Sequence, residues 1–183
     1  MNKVFIFLAD GFEEIEGLTV VDMLRRADVE AVMVSVGDSK VITGAHHIEV
    51  EADIMFHEVL EPEGAMYVLP GGMPGTLNLK EHEGLEKLLK KAYKNDKYIA
   101  AICAAPTVLE KYGMLAGRKA TSYPAMEKEL KSADYQTDSV VADGKIITSR
   151  GMGTAIEFAA KMVEILKGTK EKDDLLKSIV YGE

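Results

Sequence analysis

The chain has 183 residues, a formal net charge of −8 from 30 acidic and 22 basic side chains, and a single cysteine. Its length and its 47% hydrophobic and 28% charged content fit one domain, residues 1–183, with a sizeable core. The acidic balance argues against nucleic acid or an anionic membrane as partner, since both are held by clustered Lys and Arg, and a lone cysteine excludes an internal disulfide and suits a reducing compartment.

Residues 4–9 form a short apolar run that reads as a buried strand. It is too short to span a bilayer and carries no signal-peptide pattern, so a cytoplasmic location is expected. A helix is predicted over about residues 13–27, with Ile15, Leu18, Val21 and Leu24 at helical spacing. A second strand rich in β-branched residues covers 29–36, and 40–52 reads as a hairpin or edge excursion around Thr43-Gly44-Ala45. The third strand, 65–69, ends at Pro70-Gly71-Gly72. One long helix is predicted over about 76–95, with Leu77, Leu85, Leu88, Leu89 and Ala92 facing inward. Its Lys87, Lys90, Lys91 and Lys94 fall on the outer face, as a solvated surface does. Residues 98–102 form a fourth buried strand that turns abruptly at Cys103 into a helix with Pro106 in its first turn.

Beyond Gly113 come a short strand near 119–122 and a short helix from 124 to about 131. A hairpin pairs 139–142 with 145–149 around Asp143-Gly144. A helix over 154–167 opens with capping-box spacing at Thr154 and Glu157, and a last amphipathic segment covers about 171–180. This alternation implies a mostly parallel sheet with helices on both faces, a fold that binds ligands at the carboxyl ends of its strands. Four turns converge at such ends: 10–14, 71–75, Cys103 and 150–153.

Three features bear on chemistry. A thiol at a strand-to-helix turn meets free N–H groups and the positive end of a helix dipole, which favours thiolate; the competing reading of Cys103 is a small buried hydrophobe. Glu16 shares a helical stripe with Val20 and Met23 and can point inward as a protonated acid, or it can simply join Glu13 and Glu14 in complementing the helix dipole. Gly71-Gly72-Met73-Pro74-Gly75 lets backbone N–H groups approach a ligand as an oxyanion hole does, or it is a plain turn; no nucleotide-loop motif is present. His46, His47, His57 and His82 have no metal-ligand spacing, so no metal site is expected, and surface or edge positions are the better reading of each. Met23, Met33, Met66 and Met162 read as core filler.

Gly11-Phe12-Glu13-Glu14-Ile15-Glu16, Val68-Leu69-Pro70-Gly71-Gly72, Ala100-Ala101-Ile102-Cys103-Ala104-Ala105-Pro106 and Thr148-Ser149-Arg150-Gly151-Met152-Gly153-Thr154, in that order, resemble the ThiJ/PfpI superfamily. Within it they are most similar to the branch of the Parkinson-disease-linked DJ-one type. The resemblance implies a flavodoxin-like sandwich with a nucleophile elbow, assembled as a homodimer. It casts Cys103 as nucleophile, Glu16 as its protonated partner, and the N–H groups of Gly72 and Ala104 as the oxyanion hole. Gly71, Tyr123, Arg26 and His46 are the further pocket candidates. Ala104 stands where the protease-like branch has a histidine, which removes the base of a Cys–His mechanism. Tyr123 stands where many relatives have a histidine, His46 where some have an arginine in the hairpin, and Met152 where a proline is found.

The activity so implied is cofactor-independent conversion of α-oxoaldehydes such as methylglyoxal and glyoxal, or of their early glycation adducts, to 2-hydroxy acids. The alternative is an oxidative-stress sensor or redox-regulated chaperone using the same thiol; a peptidase or amidase is a more distant third.

Overall fold

In the computed structural model, which describes residues 3–59 and 62–182, the long apolar runs form buried strands. In chain order the elements are β1 (Lys3–Leu8), α1 (Glu14–Arg26), β2 (Glu30–Ser35), the short hairpin β3 (Val41–Thr43) and β4 (Glu49–Glu51), β5 (Ile54–Met55), β6 (Met66–Leu69), α2 (Gly75–Glu81) and α3 (Glu83–Lys94). Then follow β7 (Tyr98–Ile102), α4 (Pro106–Lys111), β8 (Lys119–Ala120), β9 (Asp134–Tyr135), β10 (Val140–Asp143), β11 (Ile146–Ser149), α5 (Ala155–Lys167) and α6 (Thr169–Ser178). Seven strands form the main sheet in the order β10-β11-β7-β6-β1-β2-β5, parallel except for β10.

Successive side chains of a strand point to opposite faces, and β1 shows what this achieves. Val4, Ile6 and Leu8 pack into one core with Val20 and Leu24 of α1 and Phe158 and Met162 of α5. Phe5 and Phe7 face the other core, with Tyr67, Leu85, Leu89 and Val108. A strand buried on both faces must be apolar throughout, which is why these segments are continuous hydrophobic runs. The connections leave β1 in opposite directions, to β2 on one side and eventually to β6 and β7 on the other. That switch point opens a crevice at the carboxyl ends of β1, β6 and β7.

Several expectations are corrected. The predicted helix over 76–95 is two helices, broken at His82, whose extended backbone (φ −80°, ψ 96°) lets its ring accept a hydrogen bond from the Leu85 N–H and cap α3. The break resets the helical phase, so Leu79 is buried and Leu77 is exposed. His82 is thus a half-buried cap against Phe56 rather than a surface residue. The segment after Tyr123 winds as a 3-10 turn, Pro124–Glu129, because none of its side chains is buried, whereas the equally short α4 is held in place by buried Val108 and Leu109. Thr154 does not form the capping box. Its hydroxyl is bound to Ser149 and Gly151, and Glu157 reaches Ser139 and the Tyr181 hydroxyl instead. Strands β5 and β9, two residues each, are too short to leave a periodic signal. Among the described residues no helix is long and apolar enough to cross a membrane.

Candidate active site

Cys103 sits between the end of β7 and the start of α4 with φ 64°, in the left-handed region, which costs an L-residue about 1–2 kcal/mol. Two backbone bonds hold it there: its N–H donates to the Ser149 carbonyl at 3.0 Å, and its own carbonyl accepts from the Tyr123 N–H at 2.8 Å. The small residues on both sides, Ala101, Ala104 and Ala105, are buried and let the chain reverse without collision. The consequence is a side chain thrown toward the crevice, with the N–H groups of Gly72 and Ala104 donating to the sulfur. Gly72 reaches this position with φ +91°, where a Cβ would fall 2.3 Å from the backbone nitrogen of Glu13.

Glu16 lies in the first turn of α1 and is only 1% exposed. Its Oε2 accepts the Gly71 N–H at 2.9 Å, and the carboxyl is also hydrogen-bonded to the Cys103 thiol. Burial pushes the thiol up to about 12, the Glu16 charge adding to it and the two N–H donors opposing it. Burial also raises Glu16 to about 7, against hydrogen bonds from Cys103 and Gly71. The depressed thiol expected from a helix dipole is therefore not what this site provides. Helix α4 begins three residues beyond the sulfur, and burial beside a carboxylate outweighs its dipole. The two groups titrate as a pair that holds one proton above pH 7. With that proton on sulfur, Glu16 is the anion. With it on Glu16, the repulsion disappears and the two N–H groups face a thiolate.

The hairpin β3–β4 folds over the loop that leads into α1. Gly11 N–H donates to Thr43 O, Ala45 N–H to Phe12 O and Thr43 N–H to Asp10 Oδ1, each at 2.8 Å. Glu14 closes the clamp: it takes the His46 N–H at 2.8 Å and lies 2.9 Å from His46 Nδ1. Gly44 is obligatory beneath it, since a Cβ there would come within 2.2 Å of the Glu14 carboxylate. Glu14 as a buried clamp, rather than a dipole-complementing surface acid, is the functional residue the sequence did not disclose; its partner is 32 positions away and no local pattern links them. Glu13 joins them closely enough that the three side chains bring ligand-type atoms within 4.8 Å, a juxtaposition that sequence spacing could not anticipate. Both Glu14 oxygens are already engaged by His46.

Hydrogen bonding to Glu14 raises the His46 imidazole above its ordinary 6.5. Burial alone would raise Glu14, but the hydrogen bonds from the His46 ring and from backbone N–H groups together hold it below 4.5. The histidine's contribution is fully present below 6.5 and is lost as pH climbs through its raised value. The carboxylate's is present above 4.5 and is lost as pH falls through its lowered one. The clamp is thus expected to be strongest between those two pH values. Thermal melting of wild type and His46→Ala across pH 4–9 checks this: the gap between them should shrink toward both ends.

The remaining pocket candidates separate. Gly71 lies between Cys103 and Glu16, and the Tyr123 ring stands beside Gly151 near the Glu16 carboxyl. Arg26 is not brought to this crevice within the chain. It ends α1, ten residues beyond Glu16 and so about 15 Å along the helix at 1.5 Å per residue, where it pairs with Asp22.

The sequence profile of the DJ-1/PfpI family matches residues 2–165. Protein dj-1beta of Drosophila melanogaster is 36% identical over 183 residues, covering 99% of this chain and 98% of the relative. Glutathione-independent glyoxalase DJR-1.2 of Caenorhabditis elegans is 34% identical over 172 residues, covering 93% and 91%. Of the DJ-1 homolog B of Arabidopsis thaliana, 36% identical, the chain spans only 40%. Among solved structures, oxidized Toxoplasma gondii DJ-1 superposes with a TM-score of 0.96 at 34% identity over 100% of both chains.

Proposed function

The chain belongs to the DJ-1/PfpI family, and from that membership and the pairing of Cys103 with Glu16 we propose that it is a cofactor-independent glyoxalase or deglycase. The observation that carries the reading is the buried carboxyl hydrogen-bonded to a thiol that also faces two backbone N–H donors. In the reaction, the thiol proton passes to Glu16 and the sulfur bonds to the aldehyde carbon of RCO–CHO, giving a hemithioacetal. Its oxyanion lies against the N–H groups of Gly72 and Ala104. Glu16 returns the thiol proton to that oxygen and then, as carboxylate, moves the proton of the former aldehyde carbon to the neighbouring carbonyl carbon, while the hydroxyl proton passes to the second oxygen. The first carbon is oxidised to a thioester and the second is reduced to a carbinol, so no external oxidant is required. Water cleaves the thioester, releases the 2-hydroxy acid and restores the thiol. Deglycase action runs the same sequence from an early adduct, with the amine or thiol as leaving group. The naming of a 34% identical relative as a glutathione-independent glyoxalase supports this reading; the family resemblance favours a homodimer, and the single cysteine a reducing compartment such as the cytoplasm.

The test is incubation of purified protein with methylglyoxal and no glutathione. Lactate formed well above the protein-free rate is the expected result, and its absence overturns the reading. A second reading, oxidation sensing at the same thiol, is favoured by the solved oxidized form of a 34% identical structure and by a carboxyl placed to hydrogen-bond an oxidised sulfur. Peroxide treatment followed by mass spectrometry separates the two, since a sensor adds oxygen selectively at Cys103 whether or not lactate is made.

A further inference from the structure

The reaction proposed above constrains more of the substrate than the carbon that bonds to sulfur. Glu16 must serve both carbonyl carbons, so the second carbon lies along the carboxyl, and its substituent extends beyond it. The two Glu16 oxygens face different neighbours. Oε2 is on the side of the Gly71 N–H, and a methyl built on Gly71 would stand 2.7 Å from it and 2.6 Å from Cys103 Cβ. Oε1 faces Gly151: a methyl built there would stand 3.9 Å from Oε1 and 3.6 Å from Tyr123 Cδ2. Gly151 has φ 167°, extended backbone open to any residue, so conformation does not demand glycine here. What its bare Cα provides is a gap, the width of a small group, between the catalytic carboxyl and an aromatic ring.

That ring is well placed to act as a wall. Tyr123 is 50% exposed, yet its backbone is fixed to the elbow by the hydrogen bond to the Cys103 carbonyl and stiffened by Pro124. Met152, next to Gly151, and Met73, next to Gly72, are also large, apolar and exposed. A buried acid thus has an exposed aromatic ring beside it, a surface that gains when a flat or apolar group covers it.

Resting on the glyoxalase reading, we propose that Tyr123 and the gap at Gly151 determine specificity, favouring α-oxoaldehydes whose carbonyl substituent is a flat aryl group over glyoxal, whose substituent is hydrogen. The substituent lies on the Gly151 backbone and packs against the Tyr123 ring, while the reacting carbons remain between Cys103 and Glu16.

The test measures kcat/KM for phenylglyoxal, followed as mandelate, and for glyoxal, followed as glycolate, in wild type, Tyr123→Phe, Tyr123→Ser and Gly151→Ala. Comparing each variant with wild type cancels the intrinsic reactivities of the aldehydes. Tyr123→Ser is expected to lower the phenylglyoxal value about tenfold further than the glyoxal value, the size of one aromatic contact, and Tyr123→Phe to keep the wild-type ratio. Gly151→Ala, which fills the gap, should also lower phenylglyoxal selectively. Equal losses on both aldehydes, or a Tyr123→Phe that behaves like Tyr123→Ser, overturn the proposal. Wild type that converts both aldehydes without responding to these substitutions overturns it while leaving the glyoxalase reading intact. Wild type that converts neither aldehyde overturns both.

Discussion

Cys103→Ser and Glu16→Gln are each expected to lower lactate formation from methylglyoxal by about 10²–10⁴-fold or more, the range for loss of a positioned acid–base group or its nucleophile, and the double variant by no more than the larger single loss. The two act on one covalent sequence, so their effects do not add. They stop it at different points. Without sulfur no adduct forms. With glutamine at position 16 the thiol must lose its proton to solvent and attack is slower, but the side-chain N–H can still donate to sulfur, and the hemithioacetal that forms is not isomerised and accumulates, visible by mass spectrometry as an unprocessed methylglyoxal adduct. Loss of the adduct as well as of lactate in Glu16→Gln would show that attack itself cannot proceed without Glu16.

The same carboxyl predicts a pH profile and a stability cost. The competent form of the pair holds one proton, so kcat/KM should rise through about pH 7 as Glu16 ionises, and Glu16→Gln should lack that rise. A carboxyl raised from 4.5 to about 7 keeps, in the folded state, a proton that the unfolded chain has released. Stability therefore falls as pH rises between those values, by on the order of 3 kcal/mol for a buried group. Glu16→Gln should accordingly melt higher than wild type above pH 7 while being far less active. A function that needs a charge in an apolar site conflicts with the stability of that site, and the two variables should move in opposite directions.

What the sequence discloses follows from how local each signal is. The run through Ile102, the small residues around Cys103 and Pro106 three positions on together specify a strand, a reversal and a helix start. Each acts through its own neighbours, and the structure forms all three. The strand order converges the turns after β1, β6 and β7 because parallel strands put their carboxyl ends on one edge. Periodicity alone could not show that His82 interrupts an apparently continuous helix, because the break is made by a ring nitrogen accepting the Leu85 N–H, a bond that leaves no mark on the apolar spacing. Nor could it separate the three acids at the start of α1. Glu13, Glu14 and Glu16 have nearly identical sequence surroundings, yet Glu14 is seated by a hairpin residue 32 positions on and Glu16 by a glycine turn 55 positions on. A helix phase says which way a side chain points; what it meets there is decided by the topology.

Gly71 is where that topology is least forgiving, and Gly71→Ala is expected to cost at least about 10²-fold in kcat/KM, the loss associated with displacing a reacting group by about 1 Å. The added methyl would come within 2.6 Å of Cys103 Cβ, 2.7 Å of Glu16 Oε2 and 3.0 Å of the Ile102 carbonyl. Two of those three atoms belong to the reacting pair, so relief of the clash forces sulfur and carboxyl apart, and overpacking of this kind costs about 1–3 kcal/mol of stability. Gly71 does not occupy the left-handed region, so its replacement adds no backbone strain. Gly72→Ala differs on both counts. Its φ is +91°, and its Cβ would strike the Glu13 nitrogen, the Gly11 oxygen and the Phe12 carbonyl carbon, backbone atoms that cannot rotate away. Gly72→Ala should therefore lower the melting temperature much more than Gly71→Ala, whereas Gly71→Ala should remain folded by circular dichroism and lose activity regardless. A folded Gly71→Ala with wild-type kcat/KM would mean that sulfur and carboxyl tolerate separation, and the direct proton exchange between them could not be the step that sets the rate.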